Sequence, residues 1–356
     1  MAIKSLIINP GSTSTKIAVF EDENMLFDKT LRHSNEEIAK YDSIIAQKDF
    51  RKNIILDFLK EQNFDIKSLD VCVGRGGLVK PVSGGTYVVN DALERDLEIG
   101  VQGQHASNLG GLLAREIGKE IGVEAYIVDP VAVDEMEPIA RISGCEAIER
   151  TAISHPLNQK AMARRYAKEI GKKYDELDLI VVHMGGGVSC GAHHNGRIVD
   201  VFNALDGDGA FSPERAGGLP VGPLVKLCFS GKYTEAEVRK MLVGGGGLNS
   251  YLKCNDMQQC EKMKDEGDEK AKLVIDAFIY QIAKNIGAMA TVLKGHVDQI
   301  ILTGGISYES YITDGIKERV GFIAPVTIYK GEDELLALAQ GALRVINKEE
   351  EAKIYK

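Results

Sequence analysis

The chain has 356 residues, of which 44% are hydrophobic and 27% are charged, which is usual for a globular protein. This length is enough for about two domains, each with its own core. The formal net charge of −9 argues against a nucleic-acid-binding protein, whose binding surface is usually basic. It leaves room for an anionic substrate, because a binding site needs only a few local cations.

Cysteine usage and hydrophobic runs predict a cytoplasmic protein. The six cysteines form no C-x-x-C pair, so neither a zinc site nor a redox motif is indicated. The first apolar run, residues 6–8, is too short for a signal-peptide core. No apolar run approaches the ~20 residues that span a bilayer, so we predict no membrane segment.

Two β-prone runs joined by a polar turn open the chain. The runs at residues 6–8 and 17–20 flank a segment, residues 9–16, that holds four consecutive hydroxyl residues and a lysine. This pattern predicts a β-hairpin. Its turn gathers hydroxyl, N–H and ammonium groups that can bind an anion, although such a turn can also do no more than reverse the chain.

The remaining first half alternates between strands and helices, which predicts an α/β fold. The predicted elements are a strand at residues 25–27, a helix at 36–62, a strand at 71–73, helices at 91–97 and 107–121, a strand at 125–128 and a helix at 158–170.

The strand–glycine–strand pattern returns in the second half. Apolar residues 179–182 lead into a Gly-rich turn at 183–189 and a later β-prone run, and residues 300–305 again place a strand before two glycines. The repetition indicates a duplicated nucleotide-binding architecture. We predict an N-terminal lobe at residues 1–150, joined by the C-terminal segment 331–356, and a nucleotide-binding lobe at 151–330.

The rest of the second half contains a long loop at residues 203–223, and loops of this length are usually functional. The remaining predicted elements are helices at 235–242 and 271–293, a strand at 326–329 and a helix at 334–346. Polar residues within the helix at 271–293 favour a core helix over a membrane span.

Common phosphate-binding motifs are missing from the sequence. No Gly-rich segment continues as the P-loop requires, and neither G-x-G-x-x-G nor the H-R-D kinase loop occurs. A pair of hairpins that grip a nucleotide from two sides remains as the favoured arrangement.

Four segments together resemble the acetate and butyrate kinase family: INPGSTSTKIAVF, Gly-Arg-Gly-Gly at residues 74–77, VVHMGGGVS and ILTGGIS. That family is part of a larger group with sugar kinases, actin and the heat-shock chaperone ATPases. The resemblance covers nearly the whole chain in the same order. It implies two similar domains with a duplicated βββαβαβα core, of the ribonuclease H-like and actin-like ATPase type, around a nucleotide cleft. It also implies ATP and Mg²⁺ as cofactors, reversible phosphoryl transfer to a short carboxylic acid, and dimers or larger assemblies.

The chemistry of such a reaction fits the residue types. A carboxylate is ionised at neutral pH, since its reference pKa is about 4, and it needs no general base. The reaction needs the repulsion between anions to be overcome, in-line positioning, and stabilisation of charge on the transferring phosphoryl group. We therefore expect arginine, histidine, lysine and glycine around a metal-binding carboxylate.

Arg75, flanked by glycines, is predicted to bind the substrate carboxylate or the phosphoryl group. The family has a second arginine in its long loop, where only Arg215 is nearby in this chain, and whether Arg215 replaces it stays open. His155, which precedes a proline, resembles the family histidine that stabilises the transition state. A purely structural role for His155 is the alternative. His183 resembles a histidine that contacts phosphate.

Asp129 follows a predicted strand, where family members hold Mg²⁺ directly or through water. Glu334 resembles a second metal-associated carboxylate, with Glu332 as its competitor and an acidic helix start as the structural alternative.

The resemblance also supplies nucleotide-binding residues, in three groups. The first phosphate motif matches Asn9, Ser12, Ser14 and Lys16, the second matches Gly185, Gly186 and Gly187, and the adenosine motif matches Gly304, Gly305 and Ile306.

Gly77 and Pro213 are predicted to line the acid pocket. Acetate kinases carry valine where Gly77 stands, so the missing side chain is expected to make room for additional methylene groups. Each buried CH₂ contributes roughly 0.8 kcal/mol, so selectivity between neighbouring chain lengths should be modest. A four-carbon acid, butyrate or isobutyrate, is the predicted substrate, and propionate or acetate is the alternative.

Two other readings stay open. A sugar or polyol kinase of the same superfamily would need an aspartate base beside its hydroxyl acceptor, and Asp129 could serve. A nucleotide-dependent scaffold protein is less well supported, because no dedicated peptide-binding region follows residue 330.

Overall fold

The computed structural model describes residues 2–356, which form two compact units. Unit 1 contains the residues up to Val133 together with Asp333–Lys356, and unit 2 is Asp134–Glu332. The division comes earlier than the predicted boundary near residue 150. The reason is that Glu135 is tied to unit 2 by an ion pair with Lys160 (2.8 Å) and by accepting the N–H of Ile198 (2.8 Å).

Unit 1 opens with the predicted hairpin and its third strand. Its first part contains β1 (Lys4–Pro10), β2 (Ser14–Glu21), β3 (Asn24–Arg32), α1 (Asn35–Ile38), α2 (Lys48–Glu61), β4 (Val71–Arg75), β5 (Thr86–Val88), α3 (Asp91–Ile99), α4 (Asn108–Ile121) and β6 (Glu124–Val128).

Unit 2 begins with a short helix and a small hairpin before its main sheet. Its elements are α5 (Pro138–Arg141), β7 (Ile142–Cys145), β8 (Ile148–Glu149), α6 (Pro156–Glu169), β9 (Leu179–Met184), β10 (Val188–His194), β11 (Arg197–Val201), α7 (Val221–Cys228), α8 (Glu235–Leu242), α9 (Gly247–Leu252), α10 (Met257–Asp265), α11 (Glu269–Val292), β12 (Gln299–Thr303), α12 (Ser310–Val320) and β13 (Val326–Ile328). The chain then returns to unit 1 with α13 (Glu334–Ile346) and β14 (Lys353–Ile354).

The two main sheets share one strand order, which is the structural basis of the predicted duplication. In unit 1 the order is β3-β2-β1-β4-β6, continued by β5 and β14, and in unit 2 it is β11-β10-β9-β12-β13. In both, three antiparallel strands are followed by two parallel ones, and in unit 1 the added strand β5 is antiparallel to β6. The glycine-bearing turns β1–β2 and β9–β10 therefore occupy equivalent positions.

The single helix predicted at residues 36–62 is wrong, because the segment divides into α1 and α2. Ser34 and Glu37 form a capping box that starts α1. The Ser43 hydroxyl then accepts the N–H of Ala46 (3.2 Å), which begins a new turn in place of a continuous helix. The sequence analysis also missed helices α5, α7, α9, α10 and α12 and strands β5, β7, β8 and β14.

Helix α11 is long and apolar enough to cross a membrane, and it is the one helix in residues 2–356 with this property. The side chains of Phe278, Ile282 and Ile286 on this helix are fully buried in the core of unit 2. This is the arrangement of a core helix.

Glycines allow β4 and α4 to pack closely in unit 1. A Cβ atom on Gly74 would lie 2.1 Å from the carbonyl oxygen of Gly110, and one on Gly110 would lie 2.3 Å from the carbonyl oxygen of Arg75. The two backbones therefore touch directly. This contact therefore fixes the position of Arg75 at the end of β4.

We expect Gly110→Ala to lower the free energy of unfolding by about 3 kcal/mol, because the methyl group must push α4 away from β4. Gly287→Ala is the matched control. A Cβ there would meet no described atom within 4 Å, and alanine favours a helix over glycine by about 1 kcal/mol. Urea denaturation measures both, and equal stability of the two variants would contradict the close-packing argument.

Candidate functional site

The turn between β1 and β2 presents the first group of candidate residues. Asn9 and Lys16 face each other across the hairpin, and the N–H of Gly11 donates to the carbonyl oxygen of Ser14 (2.8 Å). Ser12 and Lys16 are exposed and Ser14 is partly exposed. The hydroxyl and ammonium groups are thus available to an anion.

The buried side chain of Arg51 holds this turn through hydrogen bonds. The sequence analysis did not identify this residue. Its side chain is 1% exposed and donates to the carbonyl oxygens of Gly11 (2.8 Å), Ser14 (3.0 Å) and Ser12 (3.1 Å). Gln47 on the neighbouring turn accepts two further bonds from the guanidinium. Burial lowers the pKa of Arg51 to about 10, so the group stays protonated at neutral pH.

Arg75, Asn9 and Glu334 form a second cluster in unit 1. The guanidinium of Arg75, at the end of β4, donates to Oε2 of Glu334 (2.7 Å) and more weakly to Oδ1 of Asn9 (3.4 Å). Asn9 also donates to the same Glu334 oxygen (2.7 Å). The Arg75 side chain remains 28% exposed, so it is oriented by this carboxylate yet accessible to a ligand.

His105 lies close enough to Arg75 to interact with it, although the sequence interpretation overlooked it. Burial and the charge of Arg75 lower the pKa of His105. Its Nδ1 atom lies 2.8 Å from Oγ of Ser107, just before α4. A histidine in a polar stretch carries no motif, so only the packing of α4 against β4 shows that it belongs near Arg75.

Asp129 lies at the end of β6, in a left-handed conformation with φ of +37°. It is 1% exposed, and its Oδ1 atom accepts the N–H of Gly85 (2.7 Å), while its own N–H donates to the Gly85 carbonyl (3.0 Å). Aspartate is among the residues that tolerate this backbone region. The carboxylate is therefore held in a fixed position.

Packing against α4 also requires a glycine at position 77. A Cβ atom on Gly77 would lie 2.3 Å from Oδ1 and 2.6 Å from Cα of Asn108, at the start of α4. The missing side chain therefore makes room for a helix backbone, and a larger residue at this position would disturb packing. The predicted role of Gly77 in widening the acid pocket stays a prediction.

His155 and His183 stack on each other in unit 2. Their ring centroids are 3.9 Å apart and the planes differ by 16°. Nδ1 of His155 lies 2.8 Å from Oγ of Ser189, and Nδ1 of His183 lies 2.9 Å from Oδ1 of Asn158. Both rings are thus fixed through Nδ1.

Arg215 and both histidines converge on the Gly-rich turn between β9 and β10. A Cβ atom on Gly187 would lie 2.2 Å from a guanidinium nitrogen of Arg215 and 3.3 Å from Cε1 of His155. One on Gly185 would lie 3.1 Å from Nε2 of His183, whereas Gly186 has open space around it. Arg215 also donates to the carbonyl of Ala204 (2.8 Å), so the long loop brings it to this turn.

The structure separates the two competing glutamates. Oε2 of Glu332 lies 3.6 Å from Nε2 of His183 in unit 2, whereas Glu334 belongs to the Arg75 cluster of unit 1. In residues 2–356, no group of three or more His, Cys, Asp or Glu side chains is arranged to hold a metal ion by itself.

The third candidate segment begins where β12 ends. Gly304 has a φ of +90°, and a Cβ atom there would lie 2.3 Å from the carbonyl oxygen of Met184. The close approach of the β9 end therefore requires a glycine here, and the predicted contact of Gly304 with adenosine stays a prediction. Gly305 has open space around it, and the Ile306 side chain is buried in the core.

Pro213 is buried within the long loop, and its carbonyl oxygen accepts the N–H of Asn249 (2.9 Å). It lies two residues before Arg215 in the chain. Its predicted contact with an acid stays a prediction.

The chain is similar to known proteins over nearly its whole length. A model described as the acetokinase family matches residues 150–352. Butyrate kinase 1 of Clostridium acetobutylicum is 61% identical over 351 residues, which are 99% of this chain and 99% of the relative. Butyrate kinase 2 of the same organism is 58% identical over 356 residues, covering 100% of both chains.

The crystal structure of Porphyromonas gingivalis acetate kinase matches 97% of this chain and 100% of its own, with a TM-score of 0.81 and 18% identity. This likeness confirms the predicted two-sheet α/β fold.

We expect Arg51→Met to lower the free energy of unfolding by about 3 kcal/mol, because three partly buried carbonyl groups would lose their donor. The freed turn should also be cut faster by trypsin after Lys16. Lys60→Met, at an exposed position of the same helix α2, should change stability by less than about 0.5 kcal/mol. Trypsin sensitivity equal in the two variants would show that Arg51 does not hold the turn.

Proposed function

Because the chain belongs to the acetokinase family, we propose that it transfers the γ-phosphoryl group of ATP reversibly to butyrate, giving butyryl phosphate and ADP. The observation that carries this proposal is the 61% identity to a butyrate kinase over 99% of both chains. The clusters around Arg75 and around the Gly-rich turn of unit 2 supply groups of the kind that the reaction needs.

Arg75 is the group that we propose to bind the carboxylate or the phosphoryl group. A guanidinium offers several N–H donors in a fixed plane, so it can keep its bond to Glu334 and still bind an anion with the others. Glu334 and Asn9 hold the side chain in place before the substrate arrives. The acid itself is already ionised and attacks the phosphorus directly in line, without a base.

The turn at Gly185, Gly186 and Gly187 is proposed to contact the phosphates of ATP through backbone N–H groups. His155 and Arg215 lie around this turn and would donate to oxygens of the transferring phosphoryl group. His183 already donates from Nδ1 to Oδ1 of Asn158, so it would donate to the phosphoryl group from Nε2 only in its protonated form. Donors already in position stabilise charge in the transition state without reorganising. In unit 1 we propose Asn9, Ser12, Ser14 and Lys16 as phosphate-binding residues. In unit 2 we propose Gly304, Gly305 and Ile306 as adenosine-binding residues.

Mg²⁺ fits the donor types present. The ion takes few protein carboxylates and keeps waters and phosphate oxygens as its other ligands. We propose Asp129 and Glu334 as the residues that hold it, directly or through water, and Asp129 is already fixed by the backbone of Gly85. When bound, the ion neutralises charge on the phosphate oxygens.

We also propose that the protein is cytoplasmic and forms a homo-oligomer. Every residue of α7 is at least partly exposed, although its sequence, VGPLVKLC, is largely apolar. Val221 is 71% exposed and the adjoining Phe229 is 87% exposed. An exposed apolar helix of this kind supports a homo-oligomer.

The experiment is a chain-length series. Acyl phosphates are trapped with hydroxylamine after incubation with ATP, Mg²⁺ and straight or branched acids of two to five carbons. We expect the highest kcat/KM with a four-carbon acid and differences of about 10- to 200-fold between neighbouring lengths. ADP formed with glycerol or a sugar, and no hydroxamate with any acid, would overturn the proposal in favour of a sugar kinase.

A further inference from the structure

A chain of hydrogen bonds runs from His155 into the interior of unit 2. Oγ of Ser189 lies 2.8 Å from Nδ1 of His155 and accepts from Nε2 of Gln159 (2.7 Å). Oε1 of Gln159 lies 2.9 Å from Nε2 of His193, whose Nδ1 lies 2.7 Å from the hydroxyl of Tyr174. Ser189, Gln159 and His193 are each 0% exposed, so no water competes for these bonds. We call these four residues and His155 the relay.

The orientation of the Gln159 amide sets the direction of every bond in the relay. Besides the hydroxyl, the Gln159 nitrogen also faces the backbone carbonyl oxygen of Ser189 at 3.4 Å. A carbonyl oxygen accepts hydrogen bonds and never donates them, so the amide oxygen would be repelled there. The NH₂ group therefore points toward Ser189 and the amide oxygen toward His193.

Given this orientation, the far end of the relay is determined. His193 must donate from Nε2, because the Gln159 oxygen can only accept. The ring is neutral, since complete burial and the charges of Lys160 and Arg164 lower the pKa of His193 well below its usual value. A neutral ring that carries its proton on Nε2 accepts at Nδ1, so the Tyr174 hydroxyl donates to it.

The near end follows by the same reasoning. Ser189 accepts the N–H of Gln159, and its oxygen could accept a second bond, but its buried hydroxyl hydrogen also needs an acceptor. Nδ1 of His155, 2.8 Å away, is the acceptor within reach, so the hydroxyl donates to it. We infer that Gln159 and Ser189 are positioning residues that hold His155 as the neutral tautomer with its proton on Nε2. The relay thereby selects one of the two forms that a neutral histidine can adopt.

Gly191 shows that the fold makes room for this relay. A Cβ atom at this position would lie 2.7 Å from Oε1 of Gln159 and 3.4 Å from Nε2 of His193. Any larger residue on this part of β10 would displace the amide from its two partners. The glycine is therefore explained by the relay rather than by a turn.

The inference rests on the proposed function for its consequence in catalysis. A proton on Nε2 makes His155 a donor on the side of the ring that is not bound to Ser189. Such a donor can stabilise an oxygen of the transferring phosphoryl group in every turnover. The opposite tautomer would present a lone pair to an anion and repel it.

The test combines histidine-labelled ¹⁵N NMR of the full chain with kinetics, using Ser189→Ala and Gln159→Met. At about pH 8, where exposed imidazoles are neutral, we expect wild-type His155 to show a pyridine-type Nδ1 and a pyrrole-type Nε2 signal. The signals are assigned by their loss in His155→Asn. In both variants the two nitrogen shifts should move toward each other as the tautomers mix. Ser189→Ala, which removes one small group, keeps the test valid if Gln159→Met does not fold.

Tyr166→Phe is the matched control, because it removes a hydrogen bond from the same helix, α6, outside the relay. It should leave the His155 signals and the rate unchanged. The relay variants should lower kcat about tenfold with little change in the KM for ATP.

A protonated Nδ1 on His155 in the wild type would overturn the inference, as would His155 signals that do not move in Ser189→Ala. If the signals behave as expected but no acid yields a hydroxamate, the relay stands and the proposed reaction is wrong.

Discussion

Repulsion between two anions is the constraint on which the proposed site depends. A carboxylate must approach the terminal phosphoryl group of a triphosphate, and the chain as a whole carries a net charge of −9. Local cations must therefore outweigh the overall charge. Arg75 and Arg215 are the cations that we propose for this role, and each guanidinium is held by an oxygen atom of the protein. Arg51 is buried and holds the carbonyl groups of the β1–β2 turn.

The duplicated strand order explains why each unit carries an arginine side chain held in a fixed position. In each main sheet a hairpin of the first two strands ends in a turn rich in small residues, and the parallel strand beside it has a glycine at or directly after its end. Gly74 and Gly304 occupy this second position, and both press against a neighbouring backbone. Gly186 and Gly305, by contrast, have open space around them, and we propose that a nucleotide contacts their backbone.

Local pattern was enough to predict both hairpins, most strands and the segments that carry the candidate residues, because alternation, apolar runs and glycine act over a few positions. Contacts between segments that are distant in the chain could not be predicted from local sequence patterns. Arg51 reaches a turn more than thirty residues away in the chain, and His105 approaches Arg75 only through helix packing. The close contact of Gly77 with Asn108 depends on where α4 starts, so this packing reason for the glycine could not be predicted from the sequence.

The buried relay behind His155 shows the same limit on a finer scale. Gln159 and His193 lie on a helix and a strand that are far apart in sequence, and neither matches a phosphate motif. Their hydrogen bonds nevertheless decide which nitrogen of His155 carries the proton. Such groups become visible only when donors and acceptors are counted in three dimensions.

The stereochemical course of phosphoryl transfer tests the central claim most directly, namely that the acid itself attacks the phosphorus. The protein would be given butyrate and ATP whose γ-phosphoryl group is made chiral with oxygen isotopes, and the configuration of the phosphoryl group in butyryl phosphate would be determined. We expect inversion, which a single in-line displacement produces. Retention would mean that the group passes first to a residue of the protein, and it would contradict the account.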